Sequence, residues 1–117
     1  MSGLVSYHAG LSAEDQVSRE YARRGCGFVA SRWQGQAGEI DLIAKDGDGL
    51  IFIEVKKSRD FVRAAERINR RQMQRIYAAA SEFMARMPMG QDTPARFDVA
   101  LVNGFGDIRI IENAFAG

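Results

Sequence analysis

The segment from Gly38 to Lys56 constrains the fold more than any other part of the chain. It reads Gly38-Glu39-Ile40-Asp41-Leu42-Ile43-Ala44, then Lys45-Asp46-Gly47-Asp48-Gly49, then Leu50-Ile51-Phe52-Ile53-Glu54-Val55-Lys56. Two apolar runs broken by acids at alternate positions flank a cluster of turn-forming residues, which is the pattern of a β-hairpin. With Gly47 and Asp48 at the tip, Lys45 faces Leu50, Ile43 faces Phe52, Asp41 faces Glu54 and Glu39 faces Lys56. Opposed residues share a side of the sheet, and so do residues two apart. Glu39, Asp41, Glu54 and Lys56 then occupy one end of one face. Ile40, Leu42, Ala44, Ile51, Ile53 and Val55 fill the other. A two- or four-residue loop preserves this register, whereas a three- or five-residue loop sends Asp41 and Glu54 to opposite faces. Three acids and a lysine among apolar side chains are destabilising unless something pairs with them, and a divalent cation would do so. The plainer alternative is an ordinary half-buried hairpin carrying an exposed Glu54–Lys56 ion pair.

The 117 residues suffice for one domain with one core, residues 1–117, of which 1–11 read as a flexible start. Apolar content of 46% with 26% charged residues suits a globular chain, and no apolar run approaches the roughly 18 residues of a membrane span. No secretory signal is recognisable in Met1–Leu11. A single cysteine, Cys26, rules out an internal disulfide and suits a reducing cytoplasm. A single histidine, His8, argues against a Cys/His zinc site or a His-centred triad. The net charge of +1 does not mark the whole chain as a nucleic-acid binder, although basic residues crowd the stretch from Lys56 to Arg75.

Ser12 caps an expected helix running to about Arg24, stopped by Gly25 and Gly27. Phe28–Trp33 reads as a strand, followed by the hairpin. One long helix is expected from about Phe61 to Met87, ended by Pro88 and Gly90. After a loop at 91–95, Phe97–Val102 and Ile108–Ile111 read as strands. The order α-β-β-β-α-β-β gives an α/β (α+β) fold, a mixed central sheet of about five strands flanked by helices.

Two polar residues interrupt apolar helix stripes. Glu14 lies on the same face as Val17 and Tyr21, aimed at the sheet, unless it only complements the helix dipole in the first turn. Gln72 falls within the stripe Ile68, Ile76, Ala79, Phe83 and needs partners for its amide, either a structural loop contact or a site contact. Arg63, Arg67, Arg70 and Arg71 read most simply as a solvated face. Arg71 and Arg75 flank the stripe and are better placed to reach a ligand. Trp33 with Arg32 either stacks on a base or closes the core rim.

An acid on the first helix, Asp41 on one strand and Glu54-Val55-Lys56 on the next resemble the PD-(D/E)xK nuclease fold. The surrounding words, Gly10-x-x-Ala13-Glu14, Gly38-Glu39-Ile40-Asp41-Leu42-Ile43-Ala44, Phe52-Ile53-Glu54-Val55-Lys56 and Arg96-Phe97-Asp98-Val99, resemble the YraN-like family, which is bacterial and similar to Holliday-junction resolvases. The likeness runs from about Gly10 to Val102. Where the family carries Arg two after the lysine this chain has Ser58, with Arg59 next. Phe61-Val62 replaces Phe-Gly, Arg71-Gln72 replaces Lys-Gln, and Arg32 replaces an Asn.

The resemblance implies a restriction-endonuclease-like core and a Mg²⁺- or Mn²⁺-dependent endonuclease acting on DNA, with branched, Holliday-junction-like DNA as the form the resolvase likeness suggests. It assigns Asp41 and Glu54 as metal ligands with the backbone carbonyl of Val55 as a third oxygen. Glu14 would bind a second metal or a metal-bound water. Lys56 would orient the attacking water and counter developing charge, and Gln72 would position water or phosphate. Glu39 would pair with Lys56 or stand in an outer shell. Lys57, Arg59, Arg71 and Arg75 would contact nucleic acid. Symmetric cutting by a resolvase implies a homodimer. The contrasting expectation is a non-catalytic nucleic-acid- or partner-binding module on the same fold.

Overall fold

A computed structural model describes residues 12–115. The expected flexible start at 1–11 lies outside the described residues, as does Gly10. Helix α1 (Ala13–Arg23) begins where Ser12 Oγ accepts the Asp15 N–H at 3.1 Å, a side-chain N-cap that satisfies one of the first-turn donors. Strands β1 (Gly27–Gln34), β2 (Glu39–Asp46) and β3 (Gly49–Lys57) follow. Helices α2 (Phe61–Glu66) and α3 (Arg70–Met84) and a 3₁₀ turn (Gly90–Asp92) lead to β4 (Ala95–Val102) and β5 (Ile108–Ile111). The five strands form one mixed sheet in sequence order, antiparallel throughout except for β3 beside β4. The expected α+β architecture is the one observed.

The hairpin turns at Gly47-Asp48, with Gly47 at φ +60°, a conformation open to glycine at little cost. Pairing follows the expected register from Asp46–Gly49 through Leu42–Ile53. Leu42, Ala44, Ile51 and Ile53 pack with Val17 and Tyr21 of α1, while Ile43, Leu50 and Phe52 pack with Ala79, Ala80 and Met84 of α3. Phe52 is fully buried, its ring 5.4 Å from that of Phe97 and 6.1 Å from that of Phe83. Truncating such a residue to alanine removes about 3–5 kcal/mol.

Two expectations fail here. The β2–β3 ladder stops at Leu42–Ile53, so Asp41–Glu54 and Glu39–Lys56 are not ladder pairs. Beyond that point Ile40 leaves the Leu42 side and joins the cluster under α3, because its β1 partner Trp33 packs edge-on against Phe83 at 5.4 Å. Trp33 is thus part of the core rim, with the Arg86 guanidinium over its ring at 5.4 Å. The single long helix is also broken. Arg67 to Asn69 leave the helix, and the Asn69 side chain accepts the Gln72 N–H at 2.9 Å to cap α3. The Arg67 guanidinium donates to the Lys57 carbonyl at 2.7 Å, tying the break to the end of β3, so Arg67 does more than face solvent. Helix α3 ends at Met84, three residues short of the expected Met87.

Candidate metal and catalytic site

The end of the β2–β3 ladder creates the site. In a continued antiparallel ladder the Val55 N–H would reach the carbonyl of Ile40. Instead it donates to Asp41 Oδ2 at 2.9 Å, so the Asp41 carboxylate takes the place of a backbone acceptor. Glu54 and Lys56 alternate with Val55 and point to the side of α2 and α3, where both are almost wholly buried. Lys56 Nζ lies 3.1 Å from Glu54 Oε1, and Gln72 Nε2 donates to the same oxygen at 2.7 Å. Gln72 therefore interrupts the apolar stripe of α3 in order to hold a buried carboxyl.

The carboxyls of Asp41 and Glu54 are neighbours that influence each other's protonation. Burial pushes the Glu54 carboxyl up to about 7, and the neighbouring Asp41 charge adds to the effect against the opposing Lys56 ammonium. Burial likewise raises Asp41, opposed by the Val55 N–H and the Glu54 carboxyl and reinforced by the charge of Glu14. Two neighbouring carboxyls resist ionising together, and they titrate as a pair. Glu14, half-buried in the first turn of α1, thus acts on Asp41 through its charge.

A cavity of about 180 Å³ opens onto this pair, lined by Gly38, Glu39, Asp41, Glu54, Gln72, Arg75 and Ile76. Among the described residues no three His, Cys, Asp or Glu side chains converge closely enough to cage a metal. The protein offers two neighbouring carboxylates, with backbone and water oxygens to complete a shell. This donor set fits Mg²⁺, a hard cation that retains several waters. A cation between the two carboxylates would also offset the repulsion within the pair.

The other expected residues divide by position. Glu39 is exposed at the cavity wall, and the ion partner of Lys56 is Glu54, not Glu39, because the ladder ends before the two could face. Arg75 lines the cavity and Arg71 sits one helical turn before it, both exposed. Lys57 and Arg59 are exposed at the end of β3, away from the cavity lining. Ser58 donates its N–H to the Val102 carbonyl at 3.0 Å, which extends the β3–β4 pairing.

One anchoring residue carries no signal in the sequence. Glu82 on α3 accepts the N–H groups of Gln36 and Ala37 at 2.8 and 3.1 Å, pinning the β1–β2 turn that leads to Gly38 and Asp41. A Cβ at Gly35 would lie 2.1 Å from that carboxylate and 2.6 Å from the Trp33 ring, so only glycine fits beneath it. A wider depression of about 600 Å³ lies alongside, but its carboxylate is this same engaged Glu82.

A model of the uncharacterised protein family UPF0102 matches residues 13–102. A UPF0102 protein of Cereibacter sphaeroides is 62% identical over 116 residues, covering 99% of each chain. One of Ruegeria pomeroyi is 58% identical over 113 residues, covering 97% of this chain and 92% of its own. One of Dinoroseobacter shibae is 44% identical over 111 residues, covering 95% and 83%. Of the stretch read above as YraN-like, from about Gly10 to Val102, residues 13–102 lie within the match.

Proposed function

We propose that this chain, which belongs to protein family UPF0102, is a divalent-metal-dependent endonuclease acting on branched or otherwise structured DNA. One observation carries the reading: Asp41 and Glu54 line one cavity, Asp41 holding the Val55 N–H and Glu54 holding Gln72 and Lys56, with both carboxyls raised by burial. Carboxyls whose protonation is displaced by burial together with a specific charge partner, in a cleft, are candidates for a functional site. Asp41, Glu54 and the Val55 carbonyl would hold Mg²⁺ or Mn²⁺, with Glu14 adjacent. When bound, such an ion supplies a water acidic enough to attack at neutral pH and a clamp for the phosphate.

The chain's own residues supply the rest. The Val55 N–H fixes one oxygen of Asp41, and Gln72 with Lys56 fixes one oxygen of Glu54, which leaves the other oxygens for a cation. The Lys56 ammonium, 3.1 Å from Glu54, would counter negative charge growing on the phosphate oxygens. Arg75 at the cavity mouth, with Arg71 behind it, would receive the flanking backbone.

The test is incubation of purified protein with four-way-junction, flap, duplex and single-stranded DNA, with Mg²⁺, Mn²⁺ or chelator. Cleavage that needs metal and is lost in Asp41→Asn, Glu54→Gln and Lys56→Ala, with circular dichroism unchanged, supports the proposal. If no DNA form is cut and calorimetry finds no divalent ion bound, the chain is a non-catalytic binding module.

A further inference from the structure

Phe105 is the most exposed large apolar side chain among the described residues, 89% accessible at the tip of the β4–β5 turn. That turn is firmly tied. Asn103 Oδ1 accepts the N–H groups of Phe105 and Asp107 at 2.9 Å each, and Asn103 Nδ2 donates to Asp107 Oδ2 at 3.1 Å. The Gly104 N–H donates to the Arg59 carbonyl at 3.1 Å, bracing the turn against the end of β3. A large aromatic surface is therefore held in water by a preorganised loop, an arrangement that limits the entropy lost when a flat partner lands on it.

The location is informative. β3 and β4 run parallel with Lys57 opposite Val102, so the turn leaves the sheet at the end toward which Glu54 and Lys56 lie. Glu54 to Lys57 is about 10 Å at roughly 3.3 Å per residue, close to three base steps at about 3.4 Å per step. Basic residues lie at both ends of this interval. Arg75 lines the cavity with Arg71 one turn before it, and the Arg67 guanidinium is bonded to the Lys57 carbonyl. Lys57 and Arg59 are exposed at the end of β3, where the Arg59 backbone carbonyl accepts the Gly104 N–H. Of the nearby acids, Asp60 caps α2 and pairs with Arg63, Asp107 is held by Asn103, and Glu66 is exposed at the end of α2. In the chain the ring is flanked by Asn103, Gly104, Gly106 and Asp107, with no apolar neighbour within two residues to extend it into a larger patch.

We propose that Phe105 stacks on an unpaired base of bound DNA whose backbone crosses the end of β3 past Arg67, Lys57 and Arg59, with Arg75 and Arg71 at the acid-pair end. This rests on the DNA-binding half of the function proposed above and gives it a substrate class, DNA with a base outside the duplex several nucleotides from the scissile bond. Stacking on an aromatic ring tolerates any base, so the selectivity is for structure over sequence.

The test is fluorescence anisotropy of labelled flap DNA and of a fully paired duplex of equal length, in Ca²⁺ to suppress cutting, with wild type, Phe105→Ala, Phe105→Trp and Arg59→Ala. Phe105→Ala is expected to weaken flap binding roughly tenfold or more while leaving the duplex within about twofold. Phe105→Trp restores the affinity, and its emission, added to that of Trp33, is quenched on the flap. Arg59→Ala weakens both DNAs and lowers the salt slope by about one. Equal weakening on both DNAs in Phe105→Ala, or none, overturns the proposal. A drop in sedimenting mass for Phe105→Ala assigns the ring to a contact between copies and also overturns it. Affinity is read without cleavage, so a wild type that cuts while Phe105→Ala binds normally keeps the nuclease and loses the stacking. Selective loss of flap binding in a protein that never cuts does the reverse.

Discussion

Asp41→Asn should make the metal-free protein more stable above neutral pH while removing its response to Mg²⁺. Glu54 is held at about 7 in the folded chain against 4.5 for an unperturbed side chain. Between those values the folded state binds more protons than the unfolded state, so stability is full below about 4.5 and declines as pH rises through about 7. The difference corresponds to roughly 3 kcal/mol. Burial is the larger cause and the Asp41 charge the second, so removing that charge should return on the order of 1 kcal/mol. Asparagine keeps an oxygen for the Val55 N–H and offers an amide donor to the Glu54 carboxylate. For a domain of this size the gain is about 3–6 °C in Tm. Thermal unfolding by circular dichroism in chelator at pH 8 should show Asp41→Asn above wild type, and at pH 5 the gap should close because Glu54 is protonated in both. With millimolar Mg²⁺ at pH 8 the order should reverse, since an ion that binds only the folded wild type stabilises it by mass action. If Asp41→Asn is less stable than wild type in chelator at pH 8, or the gap is the same at pH 5, the carboxyl pair is not strained and the reasoning fails.

Three further outcomes follow from the same contacts. Lys56→Met should abolish DNA cleavage yet leave Mg²⁺ affinity, measured by calorimetry, within about threefold, because the lysine acts on the substrate charge and is not a ligand; loss of ion binding would contradict that division. Tyr21→Phe should destabilise the fold by about 1–3 kcal/mol in denaturant unfolding, since the Tyr21 hydroxyl donates at 2.7 Å to the fully buried Asp98; a neutral result would show that the Arg96 and Asn113 donors suffice. Glu82→Ala should speed hydrogen exchange at the Gln36 and Ala37 amides and slow cleavage through the loosened approach to Asp41; unchanged protection would mean that Glu82 does not hold that turn.

The hairpin register was legible in the sequence because a period of two and a two-residue Gly-Asp turn leave little choice once one face is buried. The same pattern marked Asp41, Glu54 and Lys56 as a group. What it could not show is that the ladder ends at Leu42–Ile53. That depends on Trp33 packing against Phe83 and on the Asp41 carboxylate replacing a backbone acceptor, both contacts between residues distant in sequence. The break at Arg67–Asn69 had a local signal, since asparagine is a good N-cap, but the Ala- and Arg-rich residues on either side read as one continuous helix. Gln72 was recognisable as a polar interruption, and the structure assigns its partner, Glu54. Glu82 resembles any exposed acid on a helix until the β1–β2 turn folds over it.

The most direct measurement is single-turnover cleavage of an end-labelled four-way junction by wild type and Glu54→Gln, side by side in Mn²⁺ and in Ca²⁺. Wild type should cut in Mn²⁺ and only bind in Ca²⁺, and Glu54→Gln should fail to cut in either while remaining folded. Cutting by Glu54→Gln at the wild-type rate, or an inert wild type in Mn²⁺, would contradict a catalytic role for the acid pair.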